Sequence, residues 1–329
     1  MRPDLLKTGL SIPGFGPLEL PSYFTAITIG FALAIILIWR WGRRSGVNPD
    51  GILDLGILMV VAGVLGARIL SVIADGHFWD YIHLCTDPMR VDWPISKAAC
   101  MSERYSGMWD PVLRVCHPDY RDCLSWLKFW RGGLAFYGGL ILASVSGFVF
   151  LRLKRMPVMR VVDASGWAIP FGLAWGRIGC IFNGCCFGST TDSGFAFVFP
   201  AGSQASLEQF RAGLIASPGL PSLPVIPTQW VEAAGAFLIS LVCYQLVERR
   251  KRFSGQTFFV FVILYAALRF IEEIWRRDDR GELLGLSTSQ LIAVASIACM
   301  AVMYAVILRM RRAPAQDPVR KIPPEQGRL

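Results

Sequence analysis

The deciding stretch of this sequence is Trp175-Gly176-Arg177-Ile178-Gly179-Cys180-Ile181-Phe182-Asn183-Gly184-Cys185-Cys186-Phe187-Gly188. It closes an apolar run that begins near Val158 and is long enough to span a bilayer. Arg177 lies inside that run, and a cation in hydrocarbon usually faces a partner, a cavity or an anionic ligand. Arg269 is a second such cation. The pair predicts an anionic substrate, and lipid phosphate is the nearest one.

The composition is that of a membrane protein. Hydrophobic residues make up 53% of the 329 residues and charged residues 17%, and the mean hydropathy is +0.46. A soluble domain of this length carries more charge. The net charge of +9 does not predict nucleic-acid binding, because the basic residues form short clusters at the ends of apolar runs.

Several apolar segments are each close to the ~20 residues that a membrane-spanning helix needs. We predict seven spans, at 23–41, 52–74, 132–153, 158–184, 229–247, 257–274 and 289–308. The fold class is therefore predicted to be all-α: a polytopic membrane protein with about seven transmembrane helices and a small periplasmic head.

Basic clusters predict the orientation of these spans. Four clusters follow the first, third, fifth and seventh spans, within 40–44, 152–160, 249–252 and 309–312. All four fall on one side of the membrane if the spans alternate. The positive-inside rule then predicts a periplasmic N-terminus and a cytoplasmic C-terminus.

One membrane domain, residues 1–312, is predicted to hold all seven spans. Two long outer segments interrupt it: residues 75–128 carry all three histidines, and residues 189–228 are rich in Gly, Ser and Pro. We expect the second segment to form the periplasmic head, with one short helix near 206–216. The tail 313–329 combines Pro with many charges, so we expect it to be disordered on the cytoplasmic side.

The cysteines fall into two groups. Cys85, Cys100, Cys116 and Cys123 share the first outer segment, and in an oxidising compartment they predict two disulfides with three possible connectivities. A zinc site that combines them with the histidines is an alternative, but their spacings match no established zinc pattern.

Three further cysteines, Cys180, Cys185 and Cys186, lie in the same stretch as Arg177. A redox or metal role is one interpretation of them. The pattern C-x4-C-C is a weak motif, however, and packing of small residues near the membrane surface is the favoured interpretation. No metal site and no cofactor are predicted.

A second glycine motif opens the third predicted span. It reads Arg131-Gly132-Gly133-Leu134-Ala135-Phe136-Tyr137-Gly138-Gly139. Paired glycines on both sides of Tyr137 remove side-chain bulk, so either a lipid headgroup or another helix can approach the backbone. The sequence leaves these two interpretations open.

The arginines in the spans have two interpretations as well. They either bind phosphate, which suits the planar guanidinium, or pair with acids. The available acids are Asp163, Glu232, Glu272 and Glu273. Glu273 lies four residues after Arg269 and shares its helix face, so we expect it to orient that side chain, with Glu272 the weaker candidate. Arg68 in the second span is a third cation.

Several short motifs occur in a fixed order along the chain. They are Phe15-Gly16-Pro17-Leu18 before Tyr23, Gly66-Ala67-Arg68, the glycine pairs around Tyr137, the stretch 176–188, Pro227-Thr228-Gln229 with Glu232, and Leu268-Arg269-Phe270 with Glu273. In this order they resemble the prolipoprotein diacylglyceryl transferase family, bacterial inner-membrane enzymes that begin lipoprotein maturation. The resemblance covers nearly the whole chain. The stretch 176–188 and the order of the motifs are its specific parts.

The resemblance implies a reaction and two substrates. The diacylglyceryl group of phosphatidylglycerol moves to the thiol of a lipobox cysteine in a prolipoprotein signal peptide, a thioether forms and glycerol phosphate leaves. The implied location is the bacterial inner membrane. Preorganised cations would stabilise the charge on the departing phosphate.

The resemblance also implies site residues. As catalytic residues we expect Arg177, Arg269, Tyr137 and Glu273. As substrate-binding residues we expect Tyr23, Arg68, Gly138, Gly139, Asn183, Gly188, Gln229 and Glu232.

The chain departs from the family pattern at three positions. The best-known members have His where this chain has Tyr137, Asn in place of Cys180, and His in place of Ile226. A catalytically silent lipid- or lipoprotein-binding paralogue is therefore an alternative function. A small-anion transporter is a third, although such transporters usually show repeated halves, and none is evident in this sequence.

Overall fold

A computed structural model describes residues 4–312 of the chain, except 13–15, 75, 77, 94, 96, 102–106, 128–132, 218, 277–281 and 284. The predicted tail 313–329 lies outside the described residues. So do Phe15, Arg131 and Gly132, which belong to the predicted motifs.

Most of the described residues are helical, and the strands form three short antiparallel pairs. In chain order the elements are β1 (Asp4–Ile12), β2 (Gly16–Pro21), α1 (Ser22–Ser45), α2 (Pro49–Ala74), α3 (Phe78–Thr86), α4 (Lys97–Cys100), β3 (Gly107–Asp110), β4 (Val115–Pro118), α5 (Phe136–Leu153), α6 (Val158–Asn183), α7 (Gln204–Arg211), α8 (Thr228–Val242), α9 (Glu248–Arg250), α10 (Gln256–Glu272), β5 (Glu282–Leu283), β6 (Leu286–Ser287) and α11 (Thr288–Arg312). A π-helical segment, Cys243–Val247, joins α8 to α9, and a 3-10 turn, Glu273–Trp275, follows α10.

Each of the seven predicted apolar segments contains a helix, although the third begins only at Phe136. Within the described part of the chain, five helices are long and apolar enough to cross a membrane, namely α1, α2, α5, Thr228–Arg250 and Thr288–Arg309. The other two are α6, which carries Asp163, Pro170 and Arg177, and α10, which has only 17 residues. The structure therefore supports a multi-pass membrane protein, and the count of seven spans stays a prediction.

The chain divides into two compact units. The first unit consists of Met1–Ile38 and Met159–Leu329, and the second unit is Trp39–Val158. All three histidines belong to the second unit.

Glycines bring α2 and α5 together in the second unit. A Cβ atom on Gly66 would press against the backbone carbonyl of Gly138, and a Cβ atom on Gly138 would press against the carbonyl of Gly66. Gly139 faces the carbonyl of Gly63 in the same way. This is the close backbone contact that small residues allow between membrane helices. For Gly138 and Gly139 the structure shows the helix crossing, and their contact with substrate stays a prediction.

Two disulfides tie the outer segment of the second unit. Cys85 bonds to Cys123 and Cys100 to Cys116. The prediction of two disulfides is confirmed, and the zinc alternative for these four cysteines is wrong because their thiols are consumed. The pairing was left open because it depends on the β3–β4 hairpin, which carries Cys116.

A buried aspartate organises the entry to α10 in the first unit. Asp163, which has no exposed surface, accepts hydrogen bonds from the backbone N–H groups of Gly255 at 2.8 Å and Thr257 at 2.9 Å. It also pairs with Lys251 at 3.0 Å. Burial disfavours the charge on Lys251, but hydrogen bonds to Glu248 and Asp163 outweigh it and raise the pKa of Lys251. The contacts of Asp163 therefore hold the turn that precedes α10.

The segment after α6 has a small apolar core of its own. Phe199, Ala205 and Val225 are buried together, with Phe187 and Phe197 packed against them. Its helix α7 begins earlier than the predicted 206–216. The side chain of Ser203 accepts a hydrogen bond from the backbone N–H of Ser206, so the helix starts at this N-cap.

The glycine crossing generates a prediction about stability. We expect Gly66→Ala to destabilise the protein by about 1–3 kcal/mol, because the added methyl group overpacks the contact with α5. Gly63→Ala is the matched control, since a Cβ at Gly63 meets nothing within 4 Å. The thermal unfolding midpoint in detergent micelles measures both. Equal midpoints for the two variants would contradict the close crossing.

Candidate functional site

Two guanidinium groups meet at one buried carboxylate in the first unit. Glu232 of α8 has no exposed surface. Its Oε2 atom lies 2.7 Å from Nε of Arg177 on α6 and 3.2 Å from Nη1 of Arg269 on α10. Its Oε1 atom accepts a hydrogen bond from the hydroxyl of Tyr265 at 2.8 Å. The two arginines that the sequence singled out therefore converge, and three helices share the ion network.

Arg269 is held by two further acids at the end of α10. Its Nη1 atom lies 2.5 Å from Oε2 of Glu272, and its Nη2 atom lies 3.5 Å from Oε2 of Glu273. Ser287 donates a hydrogen bond to Glu273 at 3.0 Å. The sequence ranked Glu273 above Glu272, and the structure gives the closer contact to Glu272. The reason is that α10 ends at Glu272 and a tighter 3-10 turn begins at Glu273, so the i, i+4 spacing of a regular helix no longer places Glu273 directly under Arg269.

The guanidinium group of Arg177 still has N–H donors available for a ligand. This residue meets Glu232 through Nε, and its two Nη groups bond to no residue in the described parts of the chain. The Arg177 side chain is 21% exposed, whereas Glu232 is inaccessible. A guanidinium fork that is held at one edge and open at the other is suited to a phosphate or another oxyanion. The site can therefore bind an anion without breaking its internal ion pair.

The chain reverses sharply after α6. The backbone N–H of Cys185 bonds to the carbonyl of Cys180 at 3.2 Å, and that of Gly184 bonds to the carbonyl of Ile181 at 3.3 Å. Gly184 is left-handed, with φ +69°. These are the bonds of a Schellman motif, in which glycine supplies the positive φ. The motif folds the chain back over the last turn of α6.

The start of α8 holds this reversal in place. The side chain of Thr228 donates to the carbonyl of Cys186 at 2.8 Å, and Nε2 of Gln229 donates to the carbonyl of Cys185 at 2.7 Å. Gln229 is 1% exposed. Gln229 therefore holds the chain at Cys185, and its predicted contact with substrate stays a prediction.

The reversal also brings three thiols together. The sulfur atoms of Cys180, Cys185 and Cys186 all lie within 4.8 Å of one another, and all three cysteines are free. The sequence favoured packing of small residues here, whereas the structure gathers the sulfurs. Tyr23 lies near these sulfurs and Arg177. Its backbone packs on Gly179, where a Cβ would come 3.1 Å from the Tyr23 carbonyl oxygen.

Two other predicted residues flank the reversal. Asn183 is exposed and donates to the side chain of Gln204 at 3.2 Å. Gly188 donates its N–H to the carbonyl of Ile226 at 2.9 Å, and a Cβ there would lie 3.0 Å from the carbonyl oxygen of Trp275. Gly188 is thus required for close packing of the backbone.

Arg68 is engaged within the second unit. It donates to the carbonyls of Trp126 at 2.7 Å, Ser125 at 3.1 Å and Gly133 at 3.1 Å, and to the hydroxyl of Tyr81 at 3.3 Å. Ser125 and Trp126 belong to a 3-10 turn, Ser125–Leu127, and Arg68 donates to their carbonyls. Arg68 therefore supports this segment, and its predicted binding of substrate stays a prediction.

Tyr137 also belongs to the second unit. It lies in the first turn of α5, is 54% exposed and packs edge to face on Phe136 at 5.6 Å. The first unit holds four other predicted residues together: Arg177, Arg269, Glu232 and Glu273.

The sequence analysis missed Tyr265. Its position four residues before Arg269 on the same helix was a usable signal.

Comparison with known proteins places the chain in a family. A model of the prolipoprotein diacylglyceryl transferase family matches residues 11–306. The phosphatidylglycerol–prolipoprotein diacylglyceryl transferase 2 of Clostridium perfringens is 28% identical over 278 residues, which are 84% of this chain and 87% of that protein. Its counterpart in Clostridium tetani is 26% identical over 90% of this chain and 94% of that protein. That of Cupriavidus necator is 33% identical over 65% of this chain and 72% of that protein.

The ion network generates a second prediction. We expect Glu232→Gln to destabilise the protein by about 3–5 kcal/mol, because it leaves two buried guanidinium groups without their shared anion. Tyr265→Phe removes one hydrogen bond to that anion and should destabilise it by only about 1.5–3 kcal/mol. Thermal midpoints in detergent check this order, with Glu208→Gln on α7 as the acidic control. A midpoint for Glu232→Gln as high as that of the control would refute the central role of Glu232.

Proposed function

Because the chain belongs to the prolipoprotein diacylglyceryl transferase family, we propose that it transfers the diacylglyceryl group of phosphatidylglycerol to the lipobox cysteine of a prolipoprotein signal peptide. The names of its relatives contain both substrates, phosphatidylglycerol and prolipoprotein. The acceptor sulfur attacks the glyceryl carbon that bears the phosphate. A carbon–sulfur bond forms, the carbon–oxygen bond breaks, and glycerol phosphate leaves with the electron pair.

The convergence of Arg177 and Arg269 on Glu232 is the observation that carries this proposal. The departing phosphate gains negative charge, and donors that are already in position stabilise that charge most effectively. The open Nη groups of Arg177 would receive the phosphate oxygens. Arg269, held by Glu272 and Glu273, would fix Glu232 and through it the Arg177 side chain.

Other residues of the first unit would contact the headgroup. Tyr23 lies near Arg177 and its phenol is only half-buried. Asn183 is exposed at the end of α6. Both are polar groups that can hydrogen-bond the glycerol hydroxyls of phosphatidylglycerol, which gives them a substrate-binding role.

The orientation proposed from the sequence is supported by the disulfides. Cys85–Cys123 and Cys100–Cys116 belong to an oxidising compartment, so residues 75–128 would face the periplasm. The basic clusters would then face the cytoplasm, together with the tail 313–329. We propose an inner-membrane protein with seven spans, of which α6 and α10 are two, and with residues 189–228 as the periplasmic head.

Names of the relatives favour a transferase over a catalytically silent paralogue. The two functions differ in a direct assay. Purified protein in detergent, with phosphatidylglycerol and a lipobox peptide, should release glycerol phosphate and increase the mass of the peptide by one diacylglyceryl group. Folded protein that binds the lipid but forms neither product would identify the silent paralogue.

Arg177 is tested in the same assay. Arg177→Ala should lower kcat by roughly 100- to 1000-fold, as expected when a preorganised donor to a developing charge is removed. Arg160→Ala is the matched control, because Arg160 is an exposed arginine in the first turn of the same helix. Equal turnover by the two variants would remove Arg177 from the reaction.

Participation of Tyr137 in catalysis stays a prediction. The phenol O–H of Tyr137 can donate a hydrogen bond to substrate, and this is the role that we expect for it. We expect Tyr137→Phe to lower kcat/KM about tenfold, the effect of one hydrogen bond to a charged group. Phe136→Leu is the control for packing at this turn. A loss of only twofold or less would show that Tyr137 merely packs.

A further inference from the structure

The thiol cluster of Cys180, Cys185 and Cys186 has no part in the mechanism described so far. Their three sulfur atoms lie within 4.8 Å of one another. Cys180 is buried at 6% exposure, and Cys185 and Cys186 are half-buried. One side of the cluster is therefore accessible while the other is enclosed.

The backbone is built to hold these sulfurs together. The Schellman motif folds Cys185 onto Cys180, and Thr228 and Gln229 hold the carbonyls of the two vicinal cysteines. Cys186 has φ +63°, a left-handed conformation that residues other than glycine rarely adopt. Such strain persists where surrounding contacts over-determine it, and it clusters at functional sites. Glycine would suit position 186 better if the sulfur had no use.

The absence of a disulfide among these three cysteines also favours a functional role for their sulfur atoms. The chain forms two disulfides in its second unit, yet all three of these cysteines are free thiols. Three sulfurs at this separation from one another are suited to a common soft cation.

We propose that Cys180, Cys185 and Cys186 bind one Zn²⁺ and that its fourth position receives the thiol of the acceptor cysteine. This inference rests on the proposed function. Zn–S bonds of about 2.3 Å in a tetrahedral site place sulfurs about 3.8 Å apart, so the cluster needs to contract by about 1 Å at most. Three protein ligands with one open position are the pattern of catalytic zinc sites. One Zn²⁺ with three thiolates carries a single negative charge.

Zinc supplies what the first unit lacks. The sequence of that unit contains no histidine, so it has no side chain whose ordinary pKa suits a base at neutral pH. A thiol that binds zinc is deprotonated. The acceptor thiol would form a Zn–S bond and release its proton to water. The bound thiolate would then attack the glyceryl carbon, and the thioether product, a weaker ligand, would leave.

The cluster lies where such a thiolate is needed. Cys180 follows Arg177 by three residues on α6, so the two side chains lie one turn apart on neighbouring positions of the same helix face. The phosphate would lie at the Arg177 fork and the sulfur nucleophile one turn further along. The transfer neither consumes nor supplies electrons, so it needs no oxidant or reductant.

Zinc binding is tested on the purified full-length protein in detergent. We expect one tightly bound Zn²⁺ per chain, measured by elemental analysis and by competition with a chelator. Cys186→Gly should weaken zinc binding at least 100-fold, and this variant should fold well because glycine suits the positive φ at this position. Cys299→Ala removes an exposed free cysteine outside the cluster and should leave binding unchanged.

Several results would overturn the site. Wild-type protein that binds no stoichiometric zinc would be one, and a Cys186→Gly variant that still binds zinc as tightly would be another. A count of three free thiols instead of five would be a third, because it would mean a disulfide within the cluster. Stoichiometric binding of Cu⁺ with no binding of Zn²⁺ would also overturn it.

The acceptor role has a spectroscopic test that does not require turnover. Protein loaded with Co²⁺ in place of Zn²⁺ should gain thiolate-to-metal absorption when a lipobox peptide is added. The same peptide with Ser in place of the lipobox Cys should leave the spectrum unchanged. Equal spectra with both peptides would refute the acceptor position.

Turnover then separates the two proposals. We expect removal of zinc to lower kcat at least 100-fold and its return to restore the rate. Unchanged turnover by zinc-free protein would overturn the inference and leave the transferase intact. Zinc-loaded protein that binds the peptide thiol but forms no product would overturn the transferase and leave the zinc site intact.

Discussion

Glu232 is the constraint on which the first unit depends. A carboxylate with no exposed surface is unstable inside a protein unless cations and hydrogen bonds replace the water it has lost. Arg177 and Arg269 supply the cations and Tyr265 the hydrogen bond, from two other helices. The position of α8 relative to α6 and α10 is therefore determined by charge as well as by packing.

The same helices organise the chain beyond the ion network. α8 begins with Thr228 and Gln229, which hold the reversal after α6, and continues to Glu232 one turn later. One short stretch of sequence thus fixes both the arginine fork and the three thiols. The second unit is held differently, by glycine packing, disulfides and the contacts of Arg68.

Part of the site was readable from residue types and spacing. Charged residues inside apolar runs are rare enough that Arg177 and Arg269 could be chosen without coordinates. Their partner could not, because Asp163, Glu232, Glu272 and Glu273 were all available and the choice depends on how the helices rotate. Asp163 proved to serve the turn before α10. Gly138 and Gly139 were correctly identified as points of close approach, but only the structure names α2 as the neighbour.

The sequence alone determined the helical segments, the membrane class, the number of disulfides and the family. Each of these depends on local periodicity, composition or motif order, which the chain carries in one dimension. Tertiary structure decided the disulfide pairing, the sharing of Glu232 by two arginines and the gathering of three sulfurs. These depend on which faces meet after the chain turns back on itself. The Gly184 reversal and the crossing of α6, α8 and α10 are such events.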